Sequence, residues 1–312
     1  MTHANDQGDG SNRHNKSNSN NSGPPAGAPP RPPTEPPPAR APSAVSYELE
    51  FVPAWASPVA DALLRLLPRD LLESLRAVLI AQARTGYLAA RLSSALSASA
   101  KLMVVDTSKD MIEQARKRLQ TAPQGVFYSV QSLQKLSYAE HVFDAVFCDH
   151  ALLTRGDLRL AGRELVRVLK PDGWLAVAIP FADTLRCFPD ILLETAQRRG
   201  MLDVARGVQG FLGVLPTPET LDETFHEAGL RIYGVERVTF SVTFHDAEAL
   251  LFSPFVEHLY LPRWMATCNH DAQREVLFFD ALHALNTYFA GVPLEVEMSI
   301  ACVVARRLGV EP

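Results

Sequence analysis

From Ala77 to Pro180 the chain alternates short, unbroken apolar runs with stretches of helical periodicity, and this alternation fixes the fold class. Strands buried on both faces read as continuous apolar runs, and helices that cross between parallel strands carry one apolar stripe. The runs predict strands over 77–80, 102–106, 126–130, 143–149 and 174–179. Between them, Leu88, Leu92 and Leu96 recur at four-residue steps, and Met111, Ile112, Ala115 and Leu119 share a face. Leu160, Leu165, Val168 and Leu169 mark a third helix. Thr107 or Ser108 can cap the second helix, and Pro171-Asp172-Gly173 reads as the turn that stops the third. Beyond Pro180 the pattern is helical to about Arg199, and Thr217-Pro218 starts a further helix that Gly229 ends. A strand-like segment, 231–244, then precedes a largely helical insert at about 246–290 and a last strand over 296–305.

Composition sets the class of partner. Ten prolines between Pro24 and Pro42, after clusters of Asn, Ser and Gly, predict a disordered tail over 1–44 and a folded domain over 45–312. The proline-rich half favours extended polyproline II, either as a spacer or as a ligand for an aromatic groove. Thirty basic against 35 acidic residues give a net charge of −5, which argues against nucleic acid and against an anionic membrane surface. No apolar run approaches the roughly 18 residues that span a bilayer. The N-terminus is polar where a secretory signal is apolar. The four cysteines, Cys148, Cys187, Cys268 and Cys302, lie far apart without a C-x-x-C pair, so a reducing cytoplasm is the expected setting. The histidines show no ligand spacing, and no metal is expected.

An open parallel sheet binds its ligands at the carboxyl ends of the strands, so the residues after Ile80, at Asp106, after Val130 and after Phe147 should line any site. Asp106 ends the second strand 20 residues after Gly86 and is placed to hold a ribose diol, or to serve as a turn residue before the helix. Asp149 and His150 follow the fourth strand, where a neutral imidazole can act as a general base or the pair can merely cap a helix. The aromatic residues of the insert read as core, as an acceptor pocket or as a partner surface.

Three segments, Leu102–Leu119 (LMVVDTSKDMIEQARKRL), Phe143-Asp144-Ala145-Val146 and Arg163–Val177 (RELVRVLKPDGWLAV), resemble the class I S-adenosylmethionine-dependent methyltransferases of type 11. The resemblance implies a Rossmann-like α/β fold: a mostly parallel seven-stranded sheet with helices on both faces, its last strand inserted antiparallel. It also implies Asp106 on the cofactor ribose and Met111 or Ile112 near the adenine. The family's D-x-G-x-G-x-G loop aligns with Ile80-Ala81-Gln82-Ala83-Arg84-Thr85-Gly86, in which the last glycine alone matches. Ile80 cannot hold the cofactor's amino group, and Gln82 and Arg84 add atoms where ligand atoms should sit. Gln131 or Ser132 stands where the family has an acid for the adenine amine. Arg84 either enters the vacated pocket, as a plug or as a receptor for an anion, or swings out to solvent.

Two functions follow. One is a non-catalytic member of the family that acts as a binding or regulatory module, with a protein partner met through the proline-rich tail or the C-terminal insert. The other is an active S-adenosylmethionine-dependent methyltransferase with a small-molecule or protein acceptor. A dinucleotide oxidoreductase is disfavoured, because no G-x-G-x-x-G supplies backbone amides for a pyrophosphate.

Overall fold

The computed structural model describes residues 43–148 and 154–309, all of them within one compact unit, 36–312. The first helix begins at Ala44 and runs without a break through three segments: α1 (Ala44–Ser46), a π-helical stretch (Tyr47–Ala56) and α2 (Ser57–Leu66). Pro53 sits inside the π-helical stretch, and Ser57 N–H donates to Val52 O, five residues back. A ring that removes one amide from the ladder makes the wider turn less costly there.

After α3 (Arg69–Ser74) the alternation begins with β1 (Ala77–Ala81), α4 (Tyr87–Ser93), β2 (Lys101–Asp106), α5 (Lys109–Arg118) and β3 (Gly125–Val130). It continues with β4 (Phe143–Cys148), α6 (Arg155–Val168) and β5 (Leu169–Pro180). Helices α7 (Cys187–Arg198), α8 (Leu202–Gly213) and α9 (Pro218–Glu227) lead to β6 (Leu230–Phe244). The insert is α10 (Ala247–Leu251), α11 (Pro254–Leu259), α12 (Leu261–Met265) and α13 (Asp271–Tyr288), and β7 (Leu294–Arg307) closes the chain.

The seven strands form one sheet in the order β3-β2-β1-β4-β5-β7-β6. The first five are parallel, and β7 lies antiparallel between β5 and β6. Alternate residues of each strand feed two cores. On one face Val78, Ile80, Leu102, Val104 and Phe147 pack with α2, α4 and α5. On the other, Leu79, Ala81, Val146, Val177 and Val303 pack with α6 and α9. Full burial of a single leucine or phenylalanine stabilises by about 1.5–3 kcal/mol, so both faces contribute heavily.

Two local expectations are corrected. Leu160 is 62% exposed, because the Thr154 capping box sets the phase of α6 so that Leu158, Ala161, Leu165 and Val168 face inward. Leu169 already belongs to β5, and Pro171-Asp172-Gly173 is a bulge within that strand: Phe143 pairs with Leu169 and Ala145 with Trp174, while Asp172 takes a φ of 63°.

The segments that carry the family resemblance act as ties. Asp144 accepts from the Arg76 and Ala77 amides at 2.9 and 2.8 Å and from Lys170 Nζ at 2.6 Å, which locks the start of β1 to β4 and β5. Arg167 pairs with Glu164 and donates to the Leu136 and Tyr138 carbonyls, and Glu164 accepts from the Leu136 amide. These residues hold the scaffold together around the site.

Candidate cofactor site

The β1–α4 loop crosses the carboxyl end of the sheet, where a ligand of this fold would sit. Ile80 itself is 1% exposed and packs in the core beneath α4 and α5. Gln82, Arg84 and Gly86 take φ values of 55°, 51° and 77°. All three positions that align with glycines therefore lie in the left-handed region, although two of them carry side chains. Holding a non-glycine residue there costs on the order of 1–3 kcal/mol. Gln82 Oε1 is buried with no hydrogen-bond partner.

Hydrogen bonds fix the loop onto β2. Ala83 N–H donates to Val105 O at 2.8 Å, and Arg84 N–H donates to Asp106 Oδ2 at 2.9 Å. Ser108 N–H donates to Asp106 Oδ1 at 2.8 Å, so each carboxylate oxygen holds a backbone amide. The Asp106 side chain is fully buried.

Below the loop, Gly86 lies against α5. A Cβ at this position would stand 2.9 Å from Ala115 Cβ and 3.0 Å from Ala115 Cα, on a backbone with φ of +77°. Gly86→Ala is expected to lower stability by about 3 kcal/mol, combining left-handed strain with overpacking. The urea midpoint reads it, and an unchanged midpoint refutes the close approach.

From α5, Arg118 donates to Thr85 O and Thr85 Oγ1 at 3.3 Å each and pairs with Glu48 of the N-terminal helix. This clamp joins residues 70 positions apart in sequence, and no local motif announces it.

Met111 is fully buried, and its amide donates to Ser108 Oγ, the cap of α5, at 3.4 Å. Gln131 N–H donates to Asp106 O, and the side chain spends both its ends locally, donating to Ser129 Oγ and accepting from Ser137. Ser132 is exposed, and its Oγ accepts from the Gln134 amide at 3.2 Å. Arg84 is half-buried, with its charge close enough to the insert to act on His258. Burial pushes the His258 imidazole below its ordinary pKa; Glu257 opposes that shift and the Arg84 charge reinforces it. Asp149 and His150 lie outside the described residues, as does the proline-rich segment.

Among the described residues no group of three or more His, Cys, Asp and Glu side chains is placed to hold a metal ion. None of the described helices is long and apolar enough to cross a membrane.

The strand order and the loop at the end of β1 define the class I methyltransferase fold. Residues 82–177 match the family model described as a methyltransferase domain, and over that segment the chain resembles the class I S-adenosylmethionine-dependent methyltransferases. A Bacillus halodurans C-125 structure described as a methyltransferase has a TM-score of 0.50 at 15% identity, covering 80% of this chain and 99% of its own. The YcgJ protein of Bacillus subtilis also has a TM-score of 0.50 at 15% identity, over 82% of this chain and 100% of that one. At these identities the likeness is one of fold. An uncharacterised 37.1 kDa protein of the Streptomyces fradiae transposon Tn4556 is 32% identical over 122 residues, 38% of this chain. The match spans about a third (35%) of the length of that curated relative.

Proposed function

We propose that this chain uses the class I methyltransferase fold as a non-catalytic binding module and does not load S-adenosylmethionine. One observation carries the reading: the Asp106 carboxylate has no exposure, and its two oxygens hold the Arg84 and Ser108 amides. A ribose diol needs an acidic acceptor open to the ligand, and this one is closed beneath the loop. Ile80 adds to the mismatch, because an aliphatic side chain 1% exposed offers nothing to the ammonium of the cofactor's methionine moiety. The described residues therefore do not fit the cofactor. The module's partner is a small molecule or a protein met on the C-terminal insert.

A second reading, an active S-adenosylmethionine-dependent methyltransferase, is favoured by the loop backbone, whose left-handed φ at residues 82, 84 and 86 is the glycine conformation of the family pattern.

Titration calorimetry of the full chain with S-adenosylmethionine and S-adenosylhomocysteine separates the two. The binding-module reading expects no heat at millimolar ligand. A micromolar dissociation constant for either ligand overturns it and returns attention to acceptor substrates.

A further inference from the structure

The β6–β7 ladder continues past the last pairing of β7 with β5, Pro180 with Ile300, as far as Phe244 with Leu294. Two strands thus stand beyond the rest of the sheet as an arm. Val242, Phe244 and Met298 of this arm, with Phe51, Trp55 and Phe255, line a cavity of about 350 Å³. That volume falls within the range of small-molecule sites, which are typically apolar with a few placed polar groups.

The polar groups are present and unused. Trp55 is 2% exposed, and its indole Nε1 has no hydrogen-bond partner. From Trp55 an aromatic row runs inward: Phe255 lies 4.7 Å away between ring centroids, Tyr260 a further 5.3 Å, and Trp264 a further 5.6 Å. Tyr260 and Trp264 are 3% and 1% exposed, and the Tyr260 hydroxyl and Trp264 Nε1 are unpaired as well. Buried donors are almost always satisfied in folded proteins, because an orphan loses its water and gains nothing. Of the three, Trp55 lines the cavity, and its unpaired indole N–H suits a ligand that brings an acceptor of its own.

The charges at the mouth narrow the choice. Glu50 is exposed there, His245 is held by Asp246 at 3.0 Å, and the described lining contains neither lysine nor arginine. An anionic ligand would meet a carboxylate without a compensating cation. We infer that this cavity binds an uncharged, flat, largely apolar molecule whose hydrogen-bond acceptor meets the indole N–H of Trp55. Aromatic walls match a fused ring system, and a ring carbonyl or ether supplies the acceptor. No residue of the cofactor loop lines the cavity, and the proposed site holds whether or not methyl transfer occurs.

The test uses Nile red, an uncharged fused-ring dye with a ring carbonyl, titrated into the full-length protein and followed by its own emission. Saturable binding of one equivalent with a micromolar dissociation constant is expected. Trp55→Phe keeps the ring and removes the N–H, and should weaken binding at least fivefold. Ala249→Phe fills the exposed rim and should remove saturable binding while leaving the far-ultraviolet circular dichroism unchanged. No binding to the wild type, or equal binding by wild type and both variants, overturns the site. Heat on titration with S-adenosylmethionine bears on the cofactor loop alone, so the two readings fail separately.

Discussion

Replacing Asp106 with alanine is expected to destabilise the ligand-free protein by about 3 kcal/mol, as a lower urea midpoint at constant slope. The argument rests on what the carboxylate holds. Its oxygens accept the Arg84 and Ser108 amides at 2.9 and 2.8 Å in a fully buried setting, so truncation leaves two amides without partners. Each buried orphan costs about 1–3 kcal/mol, and relief from desolvating a carboxylate returns part of that sum. Asp106→Asn retains one acceptor and should lose roughly half as much. A carboxylate held in reserve for a ribose would behave in the opposite way: its removal would leave the ligand-free protein unchanged or more stable, as is common at functional sites. A stability loss of the expected size makes Asp106 a brace of the loop, whereas no loss restores it as a ligand-facing acid.

The scaffold was legible from sequence because parallel strands buried on both faces leave unbroken apolar runs, and because caps are local. Ser108 accepts the Met111 amide, Thr217 forms a capping box with Thr220, and Gly229 takes a φ of +76°, each as residue type alone suggests. Helix α8 gave no such signal: Gly207 and Gly210 lower its propensity, and the tertiary contact that places Gly207 against Thr267 is invisible locally. Pro53, which cannot donate to the helix ladder, lies inside a continuous helix whose π-turn accommodates it, and no local signal announces that turn. At the site, the loss of two glycines from the family pattern was plain in the sequence, but the sign of φ at Gln82 and Arg84 was not. Backbone conformation there is imposed by bonds to Val105 and Asp106, which sequence spacing does not encode. The Glu48–Arg118–Thr85 clamp and the unpaired Trp55 escaped for the same reason, since each depends on elements far apart in the chain.

The second large effect concerns the loop side chains. Gln82→Gly with Arg84→Gly is expected to stabilise the protein by about 1–2 kcal/mol, because left-handed strain of roughly 1–3 kcal/mol per residue is relieved against a glycine entropy cost of about 0.5–1 kcal/mol each. The unpaired Gln82 Oε1 also disappears from the interior. Adding Ile80→Asp then gives back stability, since it places a carboxylate at a position 1% exposed, but it installs the acid that the cofactor's ammonium requires. A charge-assisted hydrogen bond contributes about 1.5–3 kcal/mol, and 1.4 kcal/mol is a factor of ten. Together with the space freed at residues 82 and 84, the triple variant should bind S-adenosylmethionine at least a hundredfold more tightly than the wild type, as measured by calorimetry. The double variant, measured alone, separates strain from recognition: greater stability without cofactor binding is its expected result. If the double variant is instead less stable, the Arg84 side chain contributes contacts toward the insert that outweigh its strained backbone. If the triple variant stays folded and binds nothing, the exclusion of cofactor lies in the closure over Asp106 rather than in the three substituted positions, and the loop alignment loses its explanatory role.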